Sequence, residues 1–204
     1  MEVKYIVLDE TARFEDFERY LSILTPERID RISRYRFDRD KLRSLVAGLL
    51  IYNATGGAEL FYGEHDKPYM KDGGLYFSVS HSGDVVAIAT DSVEVGCDVE
   101  YIVSDNRLKI ADRFYHPSER DYVARAEDRL RAFTRVWTRK EAYLKMTGEG
   151  ISSDLTAFDT VLSPLSEQIA TFDMDGWMLS VCSEAKLIRS DIYISELELK
   201  DLEK

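Results

Sequence analysis

The chain has 204 residues, of which 45% are hydrophobic, and it carries a formal net charge of −11. This apolar content is enough for one large domain or two small, closely packed ones, and it argues against disorder. The acidic balance argues against general binding of nucleic acid, and the absence of a leader-like start or a span-length apolar run predicts a cytoplasmic protein with no membrane segment.

Helical patterns open the chain near residues 14–24 and 26–35, and a longer one, "DRDKLRSLVAGLLIYNATG", covers residues 38–56. Residues 28–43, the basic segment, hold seven Lys and Arg against three Asp. One helix face carries three arginines that recur every three residues, namely Arg28, Arg31 and Arg34. This face could bind a polyanion. The alternative is a solvated basic face.

Short, β-branched strands follow at "LYFSVS", "VVAIATD" and "VEVGCDVE", so residues 74–100 read as a small antiparallel meander. The stretch "FSVSHSGD" places His81 at the predicted hairpin tip, among small hydroxyl groups and free turn amides that together can hold a phosphate. A lone turn histidine can equally be a plain exposed residue.

In "VEVGCDVE", strand alternation puts Cys97 on the apolar face and Asp98 and Glu100 together on the other face. Neighbouring carboxylates repel unless water or a cation lies between them, and Mg²⁺ suits such oxygen ligands. A plain amphipathic strand with a wet face gives the same pattern. Cys97 and Cys182 lack zinc-type spacing, so we expect both to be reduced.

Three further helices are predicted after about residue 105, the longest ending in "RVWTRKEAYLKM". Glu141 and Lys145 are four residues apart in the favourable acid-before-base order, which also fits a surface salt bridge. Lys140 falls on the apolar stripe of this helix, where a charge needs a partner. Strand-like segments follow near 157–161, 168–173, 177–183 and 191–198.

Helices followed by strands, twice, predict an α+β fold of two pseudo-symmetric halves, each with helices packed on a small antiparallel sheet, with the active site at their interface. We place the halves at residues 1–102 and 103–204. The sequence contains no nucleophile elbow, P-loop, dinucleotide-binding glycine pattern or zinc-histidine motif. What remains is carboxylates, phosphate-seeking cations and one histidine, a set that suits metal-assisted chemistry on a diphosphate.

The stretches "FSVSHS", "VGCDVE" and "WTRKEAYLK", in this order, resemble the signatures of the 4′-phosphopantetheinyl transferases of the longer, Sfp type. The resemblance extends from residue 24 to about residue 152. It implies that the 4′-phosphopantetheine arm of coenzyme A passes to a serine of an apo acyl or peptidyl carrier protein, with Mg²⁺, or possible Mn²⁺, as cofactor and adenosine 3′,5′-bisphosphate as product.

The resemblance also implies roles for particular residues. The metal ligands would be Asp98, Glu100 and Glu141, and Lys145, supported by Lys140, would contact the diphosphate. Either Glu141 or a metal-bound water near it would accept the serine proton. Coenzyme A would lie against a set of residues from the first half: Arg28, Arg31, Ser44, Lys67, Pro68, Ser80 and His81.

Asp66 departs from the family pattern, which commonly has Gly before the Lys-Pro pair. We expect Trp137 to pack the helix, and the chain to act as a monomer because it supplies both halves. Since carrier domains are usually acidic, the basic segment is the expected docking side. Two rivals remain, a Mg²⁺-dependent diphosphate hydrolase and a catalytically silent protein that binds coenzyme A.

Overall fold

The computed structural model describes residues 1–102, 107–150 and 154–203. The predicted boundary of the halves at 102/103 adjoins residues outside these ranges, and it stays a prediction. The helices are α1 (Pro26–Ser33), α2 (Asp38–Thr55), α3 (Leu108–Phe114), α4 (Pro117–Arg125) and α5 (Arg129–Thr147). The strands are β1 (Glu2–Val7), β2 (Leu60–Tyr62), β3 (Pro68–Met70), β4 (Tyr76–Ser82), β5 (Val85–Asp91), β6 (Val95–Tyr101), β7 (Ile169–Asp173), β8 (Trp177–Ser183) and β9 (Tyr193–Glu196).

Local signals set the ends of the helices. The Thr25 side chain caps α1, with Pro26 in its first turn, and Asp128 caps α5. Helices α2 and α5 both end at a glycine in the left-handed conformation, Gly56 and Gly148. The predicted helix over residues 14–24 forms as a 3₁₀ segment, Phe14–Ile23.

The strands form two main sheets that differ from the predicted meander. One sheet has the order β4-β5-β1-β9, and the other has the order β6-β8-β7. The meander prediction is therefore wrong for its third strand, because β6 pairs with β8 from the later part of the chain. In return, β9 joins the first sheet by parallel pairing with β1, so that sheet is mixed. Thus β6, from the first half of the chain, joins the sheet formed with β7 and β8, and β9, from the second half, joins the sheet formed with β1, β4 and β5.

The layers follow from the alternation of apolar residues in these strands. One face of the first sheet packs against α2, and its other face packs against β6 and β8 through residues such as Val3, Ala87 and Val99. Helix α5 covers the far side of the second sheet, where Ala142 and Met146 contact Cys182. The order of layers is helix, sheet, sheet, helix, which confirms the α+β class.

The strands β1, β2 and β3 were not predicted, although the residues of β1 alternate between the two cores. The segment predicted as a strand near 157–161 forms turns instead, because Asp159 accepts hydrogen bonds from the backbone of Val161 and Leu162. Cys97 and Cys182 are buried free thiols. Within the described ranges, no helix has the length and apolar character needed to cross a bilayer.

Candidate active site

The site is built where α5 lies directly on β6 at Gly96. A Cβ placed on Gly96 would lie 1.8 Å from the carbonyl oxygen of Ala142 and 2.5 Å from the amide nitrogen of Met146. Both neighbours are helix backbone, so they cannot move aside as a flexible side chain would. The missing side chain therefore lets the helix approach closely enough for Glu141 and Lys145 to face Asp98.

We expect Gly96→Ala to reduce both stability and activity, because the methyl group must push α5 away from β6. Overpacking of this kind typically lowers the free energy of unfolding by about 1–3 kcal/mol, and backbone neighbours place this position at the upper end. Urea unfolding of the variant and of the unaltered protein tests the prediction. Equal stability of the two would contradict the close approach.

At this contact, a buried carboxylate and an ammonium group form the centre of the site. Asp98 is only 4% exposed, and its Oδ1 lies 2.7 Å from Lys145 Nζ and accepts a hydrogen bond of 2.8 Å from Ser80 Oγ. Burial opposes the charge of Lys145, but the Asp98 carboxylate outweighs it and raises the pKa of Lys145. Lys145 therefore stays cationic.

Two carboxylate oxygens at this centre, Asp98 Oδ2 and Glu141 Oε1, are buried. Neither receives a hydrogen bond from the residues that the structure describes. Burial, followed by the nearby charges of Asp98 and Glu100, raises the pKa of Glu141 to about 7. Buried, unpartnered carboxylate oxygens of this kind are what a divalent cation would satisfy.

Glu100 completes the acidic set but is held apart from it. Its Oε2 accepts a hydrogen bond of 2.7 Å from Ser82 Oγ. As the side chains stand, no group of three or more acidic, histidine or cysteine residues within the described part of the chain converges closely enough to hold a metal ion. Coordination by all three acids would require their side chains to shift toward one another.

A cavity of about 430 Å³ opens beside the acids, a volume typical of small-molecule sites. Most of the residues assigned to coenzyme A line it, namely Arg28, Arg31, Ser44, Lys67, Pro68 and His81. Ser80 instead lines an adjoining cavity of about 280 Å³ with Asp98, Glu100 and Trp137. Glu141 and Lys145 line both cavities, so the acidic centre lies where they meet.

The cations of the larger cavity already have partners in the protein. Lys67 Nζ lies 2.6 Å from Glu94 Oε2 and donates to the Met146 carbonyl, so it bridges the two parts of the chain. Arg28 donates to the Ser44 carbonyl, and its buried Nε has no hydrogen-bond partner within the described ranges. Burial lowers the pKa of Arg28.

His81 lies within β4, one residue before the strand ends, and not at the hairpin tip. It lines both cavities. The protein around the ring, and then the positive charges of Arg43 and Lys145, lower the pKa of His81. The imidazole is therefore disposed to be neutral until an anion binds beside it.

Most of the cations in the basic segment are paired with other groups of the protein, which limits their availability to a ligand. Arg28 and Arg31 line the cavity, whereas Arg34 pairs with Asp30 on the same helix. Arg39 binds Asp84 and three backbone carbonyls, and Arg43 binds Asp40 and the Gly83 carbonyl, so both hold the fold together. Arg36, stacked over Phe37, is exposed.

The structure does not bring Lys140 to the cavities, contrary to its expected contact with the diphosphate. Its side chain is 1% exposed and lies 2.8 Å from Glu119 Oε2. The ammonium group also donates to the carbonyls of Leu155 and Phe158 at 2.7 Å. Trp137 stacks on Phe133 as expected for helix packing, although it also lines the smaller cavity.

Sequence reasoning missed Ser78, Ser82 and Glu119, and it assigned Ser80 to coenzyme A and not to Asp98. Alternate serines of β4 support β6, since Ser78 Oγ accepts from the Cys97 amide while Ser80 and Ser82 bind the two acids. The matching periods of "SVSHS" and "CDVE" were the available signal. Glu119 gave no signal, because nothing local in "HPSERD" pairs it with Lys140.

Two family models match this chain along most of its length. Residues 94–195 match the model of the 4′-phosphopantetheinyl transferase superfamily, and residues 11–93 match the 4′-phosphopantetheinyl transferase N-terminal family. The 4′-phosphopantetheinyl transferase AcpT of Salmonella typhimurium is 38% identical over 130 residues, 61% of this chain and 67% of its own. Psf-1 of Bacillus pumilus is 33% identical over 76% of this chain and 71% of its own. Sfp of Bacillus subtilis is 28% identical over 97% and 99%.

The chain therefore belongs to the 4′-phosphopantetheinyl transferase superfamily, and it is a transferase. The two matched families divide it near residue 93, just before β6.

Proposed function

We propose that this enzyme transfers the 4′-phosphopantetheine arm of coenzyme A to a serine of an apo acyl or peptidyl carrier protein and releases adenosine 3′,5′-bisphosphate. One observation carries the proposal: a cavity with cations on its wall leads to buried, unpartnered carboxylate oxygens beside Lys145. That order of charges suits a donor with phosphates on its nucleotide and a diphosphate at the reacting end.

The donor would bind along the larger cavity. Arg28, with its unpartnered buried Nε, supplies a donor to a phosphate oxygen, and Arg31 and His81 lie on the same wall. Ser44 and Pro68 shape the wall for the nucleotide. Lys67 acts mainly by holding its loop against α5 through Glu94 and the Met146 carbonyl.

Asp98, Glu100 and Glu141 would hold Mg²⁺, with Mn²⁺ able to replace it. The fit rests on the two orphaned oxygens and on the hard-oxygen chemistry of the set. When bound, the cation would neutralise charge on the diphosphate oxygens.

Either Glu141, whose carboxylate lies where the two cavities meet, or a water beside it would accept the proton of the carrier serine. The serine oxygen then forms a bond to the phosphorus that carries the pantetheine arm. The bond from that phosphorus to the bridging oxygen breaks, and adenosine 3′,5′-bisphosphate leaves with the electron pair. Lys145 stabilises the charge that develops on the diphosphate.

We further propose that the enzyme acts as a monomer in the cytoplasm, without nucleic acid or membrane. The support is that one chain supplies both walls of the site, with Ser80 from β4, Asp98 from β6 and Glu141 from α5.

Intact-protein mass spectrometry of apo carrier proteins tests the reaction. We expect a gain of one phosphopantetheine unit in the presence of the enzyme, coenzyme A and Mg²⁺, lost with EDTA and with a carrier whose serine is changed to alanine. Release of free phosphopantetheine without a carrier would indicate a hydrolase. Binding of coenzyme A with no turnover on any carrier would indicate a silent binding protein.

A further inference from the structure

Asp66 places a carboxylate on the wall of the donor cavity. It lies in the turn Glu64–Asp66 between β2 and β3, where His65 and Asp66 have φ values of 54° and 61°. Asp tolerates this left-handed conformation better than most residues, so it keeps the turn that glycine would form there. Unlike glycine, it adds a negative charge.

This carboxylate is the partner of a cavity cation. Asp66 Oδ2 lies 3.4 Å from Arg31 Nη2, and the Arg31 guanidinium also stacks over the Tyr62 ring. The Asp66 side chain is 79% exposed, so water screens the pair and an incoming anion can displace it. After displacement, the carboxylate would still lie near the bound anion and repel it.

The other cations of the wall have more deeply held partners. Lys67 and Lys145 are bound to Glu94 and Asp98, whose side chains are 30% and 6% exposed. Among the described lining residues, Arg28 pairs with no carboxylate. An anion entering the cavity therefore meets Arg28 directly but must compete with Asp66 for Arg31.

We propose that Asp66 is a specificity-determining residue, whose carboxylate weakens recognition of the terminal phosphate monoester of the donor. The inference rests on the proposed function for the identity of the donor. It follows that this enzyme depends less on the 3′-phosphate than it would with an uncharged residue at position 66.

The test is calorimetric binding of adenosine 3′,5′-bisphosphate and adenosine 5′-monophosphate at low salt. Asp66→Asn keeps the left-handed turn and removes only the charge. We expect it to bind the bisphosphate about three- to fivefold more tightly, the range of an exposed ion pair, with the monophosphate unchanged. In an Arg31→Gln background the gain should be smaller, because only the direct repulsion between Asp66 and the anion remains.

Glu64→Gln is the matched control, because Glu64 carries the same charge on the same turn and does not line the cavity. Failure of the bisphosphate to bind, unchanged or weaker binding by Asp66→Asn, or an equal gain with Glu64→Gln or with the monophosphate would each overturn the inference. Transfer to a carrier is measured separately on the unaltered enzyme. A silent enzyme that shows the expected binding pattern would defeat the proposed function alone.

Discussion

Glu141→Gln is expected to abolish transfer while stabilising the fold at alkaline pH in the absence of a divalent cation. Glutamine has the same size but can neither accept the serine proton nor offer a charged oxygen to a metal. Loss of a general base alone lowers the rate by about 10²–10⁴-fold. The carboxylate it replaces is 8% exposed, beside Asp98 and Glu100.

The sign of the stability change follows from the pKa. Burial raises the pKa of Glu141 from 4.5 to about 7, so its favourable contribution is complete below pH 4.5 and is lost as the pH rises through about 7. Glutamine is neutral throughout. The gain in free energy of unfolding should therefore grow from roughly 1 kcal/mol near pH 5.5 to roughly 3 kcal/mol at most near pH 8.

Urea unfolding with EDTA at the two pH values measures this gain, and carrier mass measures transfer. Glu127→Gln is the control, since Glu127 is an exposed acid just before the same helix. Added Mg²⁺ should stabilise the unaltered protein and not Glu141→Gln, because only the former offers the charged oxygen. A folded variant that still transfers the arm, or one whose stability is unchanged at high pH, would remove Glu141 from the acidic centre.

The sequence predicted the features of the site that depend on local periodicity. Strand alternation placed Cys97 on the buried face and Asp98 and Glu100 together on the other, and helical spacing placed Lys140 toward the core. These patterns extend over a few residues and depend only on backbone geometry. The helices α1 to α5 were recovered for the same reason.

The features that failed depend on contacts between distant parts of the chain. Nothing within β6 shows that it leaves β5 to pair with β8, because the partner lies about 80 residues away in sequence. A glycine such as Gly96 leaves room for a close approach, but the sequence does not show that the backbone of α5 fills it. The position of Lys140 was predicted correctly as core-facing, whereas the identity of its partner, Glu119, came only from the packing of α4 on α5.

Lys140→Met is the second substitution with a large expected effect, and it should act on stability alone. Methionine fills similar space but leaves the fully buried Glu119 without a counter-charge, which typically reduces the free energy of unfolding by about 3–5 kcal/mol. The carboxylate retains hydrogen bonds from Thr160 and the His116 amide, which favours the lower end of that range. Adding Glu119→Gln should restore about 2 kcal/mol, because the double variant has no buried charge at this pair.

Lys145→Met separates this structural role from one in catalysis. Lys145→Met also leaves a buried acid, Asp98, without its counter-charge, so some loss of stability is expected. Because Lys145 lines both cavities, transfer by the folded fraction should fall as well, whereas activity of Lys140→Met should follow the folded fraction with the KM for coenzyme A unchanged. Urea unfolding and steady-state kinetics at low temperature distinguish the two. A Lys140→Met variant of full stability with a raised KM would show instead that this ammonium reaches the donor.

Adjacent residues of a helix point in directions that differ by about 100° around its axis. In α5 this rotation directs Glu141 to the acidic centre and Lys140 away from it. Lys140 thereby fixes α5 against α4 and against the segment that begins at residue 154.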